Sequence, residues 1–228
     1  MLHERVMSAM ENLKGSQLAA SSTGDTRIYP LIQMGILSIN QEFEYLTNML
    51  SAQDQRLSLT MSSGYFNFTD HYAELIKSQS CYDMTIVYAS PQANGFHKAS
   101  GLSGFIPQMY VYISHLFFKT SRPEVRLFEY SRLGWSYHAK GLWINCRQSL
   151  FSATLIGSSN FGHRSVHRDL EAQFLIVTSN ERLRKRLEEE RSQMLEYATK
   201  VDATTFMRRD HFVPFWIRLI SRFIRNYF

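Results

Sequence analysis

The chain has 228 residues, 44% of them hydrophobic, and carries a formal net charge of +5 with a pI near 9.2. This length and apolar content suit one large globular domain or two small ones, and they exclude a chain that stays disordered for lack of a core. The basic balance indicates anionic partners, but nucleic acid, phospholipid surfaces and phosphorylated metabolites all satisfy it.

No uninterrupted apolar run approaches the ~20 residues that span a bilayer. The first residues are interrupted by charges, so they resemble neither a secretory signal nor a clear mitochondrial transit peptide, and no targeting segment is predicted. The two cysteines, Cys81 and Cys146, have no CxxC spacing and no neighbouring His cluster. We interpret both as free thiols in a reduced compartment, and we predict no metal site.

Residues 1–24 predict a partial amphipathic helix followed by a linker rich in Gly, Ser, Ala and Thr, as if the sequence began partway through a longer structure. Residues 25–200 alternate between strand and helix patterns, which predicts an α/β lobe. We expect strands at residues 28–33, 56–61, 84–89, 125–130, 137–144, 153–156 and 172–177. We expect helices at 40–50 with Asn40 as cap, 69–77, 106–118 and 181–198. Short links among the last four strands favour antiparallel neighbours, hence a mixed sheet flanked by helices.

The tail, residues 201–228, predicts a basic amphipathic helix. Apolar side chains recur at helical spacing, and arginines share the opposite side. The apolar positions are Trp216, Leu219, Ile220, Phe223, Ile224 and Tyr227, and the basic ones are Arg218, Arg222 and Arg225. This composition is typical of a helix that lies on an anionic membrane surface, but it also fits a helix docked on the apolar surface of its own domain.

The motif that organises the chain lies at residues 137–144, where His138 and Lys140 are two positions apart. On an extended strand they project from one face, so an imidazole and an ammonium would meet in one pocket. A Gly-Ser-Ser-Asn turn at residues 157–160 follows the next apolar run, and Glu171 opens another strand. Together these groups suit phosphoryl transfer.

Each group has a chemical use in such a site. A neutral imidazole can attack phosphorus while a second, protonated imidazole gives a proton to the leaving group. Lys140, Ser158 and Asn160 can donate to the non-bridging oxygens without a metal. The Glu171 carboxylate could hydrogen-bond the imidazole nitrogen that faces away from phosphorus and fix its tautomer.

Six further residues are possible rim positions of the pocket. Ser63, Tyr65 and Asn67 are either turn residues or pocket lining, and Asn94 follows the strand at 84–89 in an Asn-Gly turn. Arg164 and Arg168 fit either a solvated turn or an anion-binding rim.

The combination His138-x-Lys140, Gly157-Ser158-x-Asn160 and Glu171 resembles the signature of the phospholipase D superfamily. The blocks at residues 25–34, 63–67, 89–96, 135–143 and 155–173 look more closely like one branch, the mitochondrial CDP-diacylglycerol–glycerol-3-phosphate 3-phosphatidyltransferases, or phosphatidylglycerophosphate synthases. The resemblance implies a phospholipase D-like lobe that uses CDP-diacylglycerol and glycerol 3-phosphate in phosphatidylglycerol and cardiolipin synthesis. It also implies a position peripheral to the mitochondrial inner membrane, no cofactor and no nucleic-acid partner. ATP binding is suggested by the resemblance alone.

Members of the superfamily need two HxK motifs that face each other across a lobe interface, and this sequence has one. The resemblance therefore implies that the chain is the C-terminal lobe, inactive without the N-terminal lobe. Because the N-terminal motif supplies the nucleophile in the family, the resemblance assigns His138 the acid–base role: it protonates departing CMP and then deprotonates the hydroxyl of glycerol 3-phosphate.

Two other functions remain open. A single-motif phospholipase D-like nuclease or phosphodiesterase would complete its site by homodimerisation. A non-catalytic lobe would bind only a partner or anionic lipid.

Overall fold

The computed structural model describes Ser8 and residues 24–54, 57–78, 81–147 and 149–227. The expected N-terminal helix and most of the linker lie outside these residues. The described chain forms one nine-stranded mixed sheet flanked by helices, with a helix near the C-terminal end, as the sequence predicts.

The strands are β1 (Thr26–Met34), β2 (Ile39–Asn40), β3 (Leu57–Ser63), β4 (Asp83–Ala89), β5 (Val125–Tyr130), β6 (Lys140–Cys146), β7 (Ser152–Gly157), β8 (Glu171–Thr178) and β9 (Ala198–Lys200). Their order is β2-β1-β8-β7-β6-β3-β4-β5-β9. Strands β6, β7 and β8 are antiparallel neighbours, whereas β5 pairs in parallel with β4. The short links after β6 and β7 explain the antiparallel part, because parallel neighbours need a longer crossover.

The helices are α1 (Gln41–Leu50), α2 (Asp70–Ser78), α3 (Ile106–Thr120), α4 (His163–His167), α5 (Glu181–Glu196) and α6 (Phe215–Ile224). On one face of the sheet, α1, α2 and α3 cover the main core. Its buried members include Leu46, Leu59, Tyr72, Ile86, Phe117 and Leu142. On the other face, α5 packs near β5 and β9, where Met194 and Leu195 border a smaller cluster around Val87 and Tyr130.

The rest of this second face is open at β1, β7 and β8. The register pairs Ile156 with Phe174 and Phe174 with Pro30, so these side chains project from the same face. Phe174 is 50% exposed, and Ile28 and Ile156 are also exposed. An apolar stripe of this kind on a sheet marks an interaction surface more often than a scatter of single apolar residues does.

Helix α6 docks through a narrow stripe and leaves its broad apolar side exposed. Ile217 is buried with Val213, Met109 and Val111, which fixes the helix to α3. The predicted apolar positions Trp216, Leu219, Ile220 and Phe223 are instead exposed. The tail therefore docks on its own domain through one stripe, and contact of its exposed side with a membrane stays a prediction. No helix in the described ranges is long and apolar enough to cross a membrane.

Three sequence predictions need correction. The helix expected at 181–198 ends at Glu196, because Ala198 pairs with Tyr130 as the first residue of the edge strand β9. Asn40 precedes α1 but makes no side-chain cap, since its Oδ1 accepts a hydrogen bond from Gln33 Nε2 at 2.9 Å. The strand expected around His138 begins only at Lys140.

Candidate active site

His138 and Lys140 meet at the end of the central strands. His138 lies in the segment just before β6, and Lys140 begins that strand opposite Ser63 of β3. The distance from Lys140 Nζ to His138 Nε2 is 3.1 Å, and Nζ also lies 3.3 Å from the His138 carbonyl oxygen. The two side chains therefore meet, although His138 precedes the strand on which the prediction placed it.

The electrostatics of this pair depend on burial and on one carboxylate. Burial lowers the pKa of His138, and the positive charge of Lys140 lowers it further. Burial also lowers the pKa of Lys140, while the negative charge of Glu171 opposes that shift. The imidazole is therefore largely neutral at pH 7, and the pair would be stabilised by a bound anion.

Glu171 and Ser158 lie together where β7 ends and β8 begins. Ser158 Oγ donates a hydrogen bond to the Glu171 carboxylate, which is almost fully buried. We expected Glu171 to bind the His138 imidazole. The hydrogen bonds of the described residues show no such contact, because the carboxylate accepts from Ser158 while His138 Nε2 lies against Lys140. Within this chain, Glu171 acts on the pair through its charge.

Asn160 contributes an uncommitted amide. Its Oδ1 is buried and has no hydrogen-bond partner among the residues that the structure describes. The amide can therefore rotate to present either its oxygen or its NH2 group. Asn160 also lines a cavity of about 230 Å³, together with Tyr65, Asn67, Tyr110 and Arg164.

The predicted rim residues separate into two groups. Tyr65, Asn67 and Arg164 line this cavity, and Arg164 is paired with Asp169 at 2.9 Å. The other three have local partners. Ser63 Oγ donates hydrogen bonds to the carbonyl oxygens of Tyr65 and Asn160. Asn94 is a turn residue, since its Oδ1 accepts a hydrogen bond from the Phe96 N–H. The Arg168 guanidinium lies over the Tyr227 ring.

Tyr65 connects the cavity to the His138 pair. Its ring meets the His138 imidazole edge-on, with centroids 5.4 Å apart, and stacks on Tyr110 at the same separation. Lys140 Nζ lies 5.9 Å from the centre of the Tyr65 ring. The tyrosine thus forms an aromatic wall that limits how the imidazole can turn.

Two residues important to this geometry are not indicated by the sequence pattern. The first is Gly64, where a Cβ atom would lie 3.1 Å from His138 Cα and 3.3 Å from its Cδ2. Such contacts are tighter than ordinary packing allows, so the missing side chain lets the histidine approach β3. The sequence shows the Ser-Gly-Tyr turn, but it does not show which residues pack against that turn.

The second is Glu42, a fully buried carboxylate on α1. Ser159, the residue between Ser158 and Asn160, donates a hydrogen bond to Glu42 Oε1 at 2.7 Å. Burial raises the pKa of Glu42 to about 7. An acidic residue in the first turn of a helix is usually an exposed partner of the helix dipole, so the local pattern does not indicate a buried role.

No group of three or more His, Cys, Asp or Glu residues in the described ranges is placed to hold a metal ion. Cys81 and Cys146 are both free thiols, as predicted.

Comparison with known proteins places the chain among its relatives. A Gallus gallus protein named mitochondrial CDP-diacylglycerol–glycerol-3-phosphate 3-phosphatidyltransferase is 42% identical over 210 residues, covering 90% of this chain and 38% of that protein. The Homo sapiens protein of the same name is 38% identical over 238 residues, covering 100% of this chain and 43% of that protein. Over the stretches they share, the chain is similar to these mitochondrial phosphatidyltransferases. It spans about two fifths of the length of these relatives.

One solved structure shares the fold of this chain. The phosphatidylserine synthase of Haemophilus influenzae matches 93% of it, and 48% of its own chain, with a TM-score of 0.72 at 18% sequence identity. No protein-family model matches the chain.

The substitution Lys140→Met tests the coupling within the pair. Removing the ammonium removes one of the two causes that lower the pKa of His138, so this pKa should rise towards its ordinary value. Titration of the histidine Cε1–H resonances by NMR, with His138→Gln to assign the signal, measures the shift. The exposed Lys98→Met is the matched control, and an unchanged or lower pKa in Lys140→Met would contradict the coupling.

The buried Glu42 predicts a pH dependence of stability. Its pKa is about 7 when folded and near 4.5 when unfolded, so the folded state keeps the proton longer and the free energy of unfolding falls between pH 4.5 and about 7. At 1.36 kcal/mol per pKa unit, the loss amounts to about 3 kcal/mol.

Urea unfolding of Glu42→Gln and wild type should therefore give similar stabilities near pH 5 and a more stable variant above pH 7. Glu44→Gln, an exposed change on the same helix, should follow the wild type. Parallel pH profiles for wild type and Glu42→Gln would show that Glu42 does not ionise in this way.

Proposed function

We propose that this chain supplies one half of the active site of a CDP-diacylglycerol–glycerol-3-phosphate 3-phosphatidyltransferase, which makes phosphatidylglycerophosphate and releases CMP. The observation that carries the proposal is the convergence of His138, Lys140 and the Ser158–Glu171 pair at one end of the sheet. The names of the homologues supply the reaction and both substrates.

The chemistry follows from the charges of the pair. The pyrophosphate of CDP-diacylglycerol places negative charge beside the imidazole of His138 and the ammonium of Lys140. This charge raises the pKa of His138, so that the imidazole carries a proton. Lys140 and Asn160 donate to the non-bridging oxygens as charge moves onto them. Ser158 joins them by turning its hydroxyl, the single proton of which is donated to Glu171 in this structure. Tyr65 holds the ring of His138 in place.

Two proton transfers then involve His138. A nucleophilic imidazole from a second lobe attacks the phosphorus of the phosphatidyl group, the bond from phosphorus to the CMP oxygen breaks, and His138 gives its proton to that oxygen. The acceptor hydroxyl of glycerol 3-phosphate next gives its proton to His138 and attacks the same phosphorus, which releases the nucleophile. The cycle ends with His138 protonated again.

The second histidine would come from an N-terminal lobe of the same enzyme. This chain has a single HxK motif, and its relatives are more than twice as long as the stretch they share with it. The exposed apolar stripe around Ile28, Ile156 and Phe174 is a suitable docking surface for such a lobe. Alone, the chain is expected to be inactive.

The cellular setting is also part of the proposal. The homologues are named as mitochondrial proteins, which supports a mitochondrial location for this chain. We propose that it lies there peripheral to the inner membrane. The exposed side of α6 and its arginines support contact with an anionic membrane surface. We expect no nucleic-acid partner.

Reconstitution tests the proposal. The chain is combined with the part of the Gallus gallus protein that it does not span, and CMP release from CDP-diacylglycerol is followed with and without glycerol 3-phosphate. The complete enzyme should release CMP, and His138→Ala should slow release by about 10²–10⁴-fold, the range for loss of an acid–base group. His97→Ala, at an exposed histidine outside the motif, is the control.

Three outcomes would count against the proposal. Absence of CMP release from the complete enzyme would favour a non-catalytic lobe. Normal release by His138→Ala would contradict the acid–base role. Phosphodiesterase activity of the chain alone, appearing only as a dimer, would favour the single-motif alternative.

A further inference from the structure

An apolar groove lies between the tail and the start of α3. It encloses about 240 Å³ between the turn Gly101–Phe105, the first residues of α3 and helix α6. Its walls include Leu102, Phe105, Ile106, Met109, Trp216 and Ile220, and Ser103 is the one polar residue among those that line it. A groove with so little polar lining has nothing to bind a charged metabolite.

The groove opens onto an apolar surface. Leu102 is 84% exposed at one wall, and Trp216 and Ile220 are exposed at the other. Phe105 and Trp216 meet edge-to-face across it, with ring centroids 4.8 Å apart. Phe215, Leu219 and Phe223 continue the exposed surface along α6. The patch joins two segments that are more than 100 residues apart in sequence.

The groove adjoins the candidate active site. Met109 lines the groove, and the next residue of α3, Tyr110, lines the site cavity and stacks on Tyr65. The end of the tail is fastened to the same rim, because Asn67 Nδ2 donates to the Arg225 carbonyl at 2.5 Å. A molecule in the groove would therefore lie within about one helix diameter of the cavity, ~10 Å.

The charge around the groove favours an anionic surface. Residues 206–228 contain five arginines and one acidic residue, Asp210. Asp210 is already paired with Arg208 at 2.7 Å. Arg218 and Arg222 are exposed on α6 itself. Aromatic and aliphatic side chains flanked by arginines are typical of segments that lie in the headgroup region of an anionic bilayer.

We propose that this groove takes an acyl chain of a phospholipid in the membrane, and that the turn Gly101–Phe105 and helix α6 together form the membrane-facing surface. The inference rests on the proposed function in one respect, that the lipid donor reaches the site from the bilayer. It also gives the turn before α3 a role in membrane contact, because this turn forms the second wall of the groove. The cavity beside Tyr65 then opens next to the membrane surface, where the donor phosphate lies.

Bromine quenching tests the groove without turnover. The chain is mixed with vesicles of phosphatidylcholine and phosphatidylglycerol whose acyl chains carry bromine, which quenches tryptophan fluorescence on contact. Tryptophan emission should fall when the chain binds the vesicles. In Trp216→Phe most of this quenching should be lost, and the emission of Trp135 and Trp143 should remain. Quenching that persists unchanged in Trp216→Phe would overturn the proposal.

Charge substitutions test both walls of the groove. Leu102→Asp and Ile220→Asp should each weaken vesicle partition by about tenfold, because both place a carboxylate in the apolar surface. Leu133→Asp, at a fully exposed leucine in another loop, should leave partition unchanged. If Leu102→Asp partitions into vesicles like the wild type while Ile220→Asp partitions more weakly, the tail binds the membrane alone. That result would contradict the proposed groove.

These results separate the groove from the reaction. Vesicle binding with the expected quenching but no CMP release from the complete enzyme would support the groove and reject the proposed function. CMP release with no quenching by acyl-chain bromine would reject the groove and leave the proposed function standing.

Discussion

The site depends on the close approach of an imidazole and an ammonium group. His138 Nε2 and Lys140 Nζ are 3.1 Å apart, with His138 exposed and Lys140 partly buried, and two positive charges at this distance would repel each other. Among the residues that the structure describes, Glu171 supplies a nearby negative charge, and its carboxylate already accepts a hydrogen bond from Ser158. The lowered pKa of His138 therefore favours a neutral imidazole, and a further anion would favour its protonated form. Under the proposed function, the phosphates of the lipid donor would supply that anion, so binding and proton donation would be coupled through one electrostatic interaction.

The fold creates this constraint by close backbone packing. Gly64 lets the His138 segment approach β3. A Cβ at Gly157 would collide with the Ala172 carbonyl oxygen, so the β7–β8 junction that presents Ser158 and Glu171 also needs glycine. Behind that junction, the buried Glu42 holds Ser159 and so fixes the middle of the Gly-Ser-Ser-Asn turn. The helical core on one face of the sheet keeps the strand ends rigid. The other face stays partly open at β1, β7 and β8, where a second lobe would dock.

The sequence predicted most of the strands and helices, because apolar periodicity is a local signal. It also predicted that His138 and Lys140 would meet and that Tyr65 and Asn67 could line a pocket. The start of β6 and the end of α5 were misplaced, since pairing with distant strands decides them. The roles of Gly64 and Glu42 depend on which distant segment of the chain packs against them. The expected hydrogen bond between Glu171 and His138 was wrong for a similar reason, because Ser158 from the end of another strand binds the carboxylate. A single sequence does not carry that long-range information.

We propose that this chain is the proton-transferring half of a two-histidine site, with the covalent intermediate on the other half. The direct measurement is to incubate the reconstituted enzyme with CDP-diacylglycerol in the absence of glycerol 3-phosphate, quench in base, and locate the phosphatidyl-histidine by peptide mass spectrometry. We expect the modified histidine on a peptide from outside these 228 residues, with His138 unmodified. A phosphatidyl group on His138 would contradict the account, because His138 would then be the nucleophile.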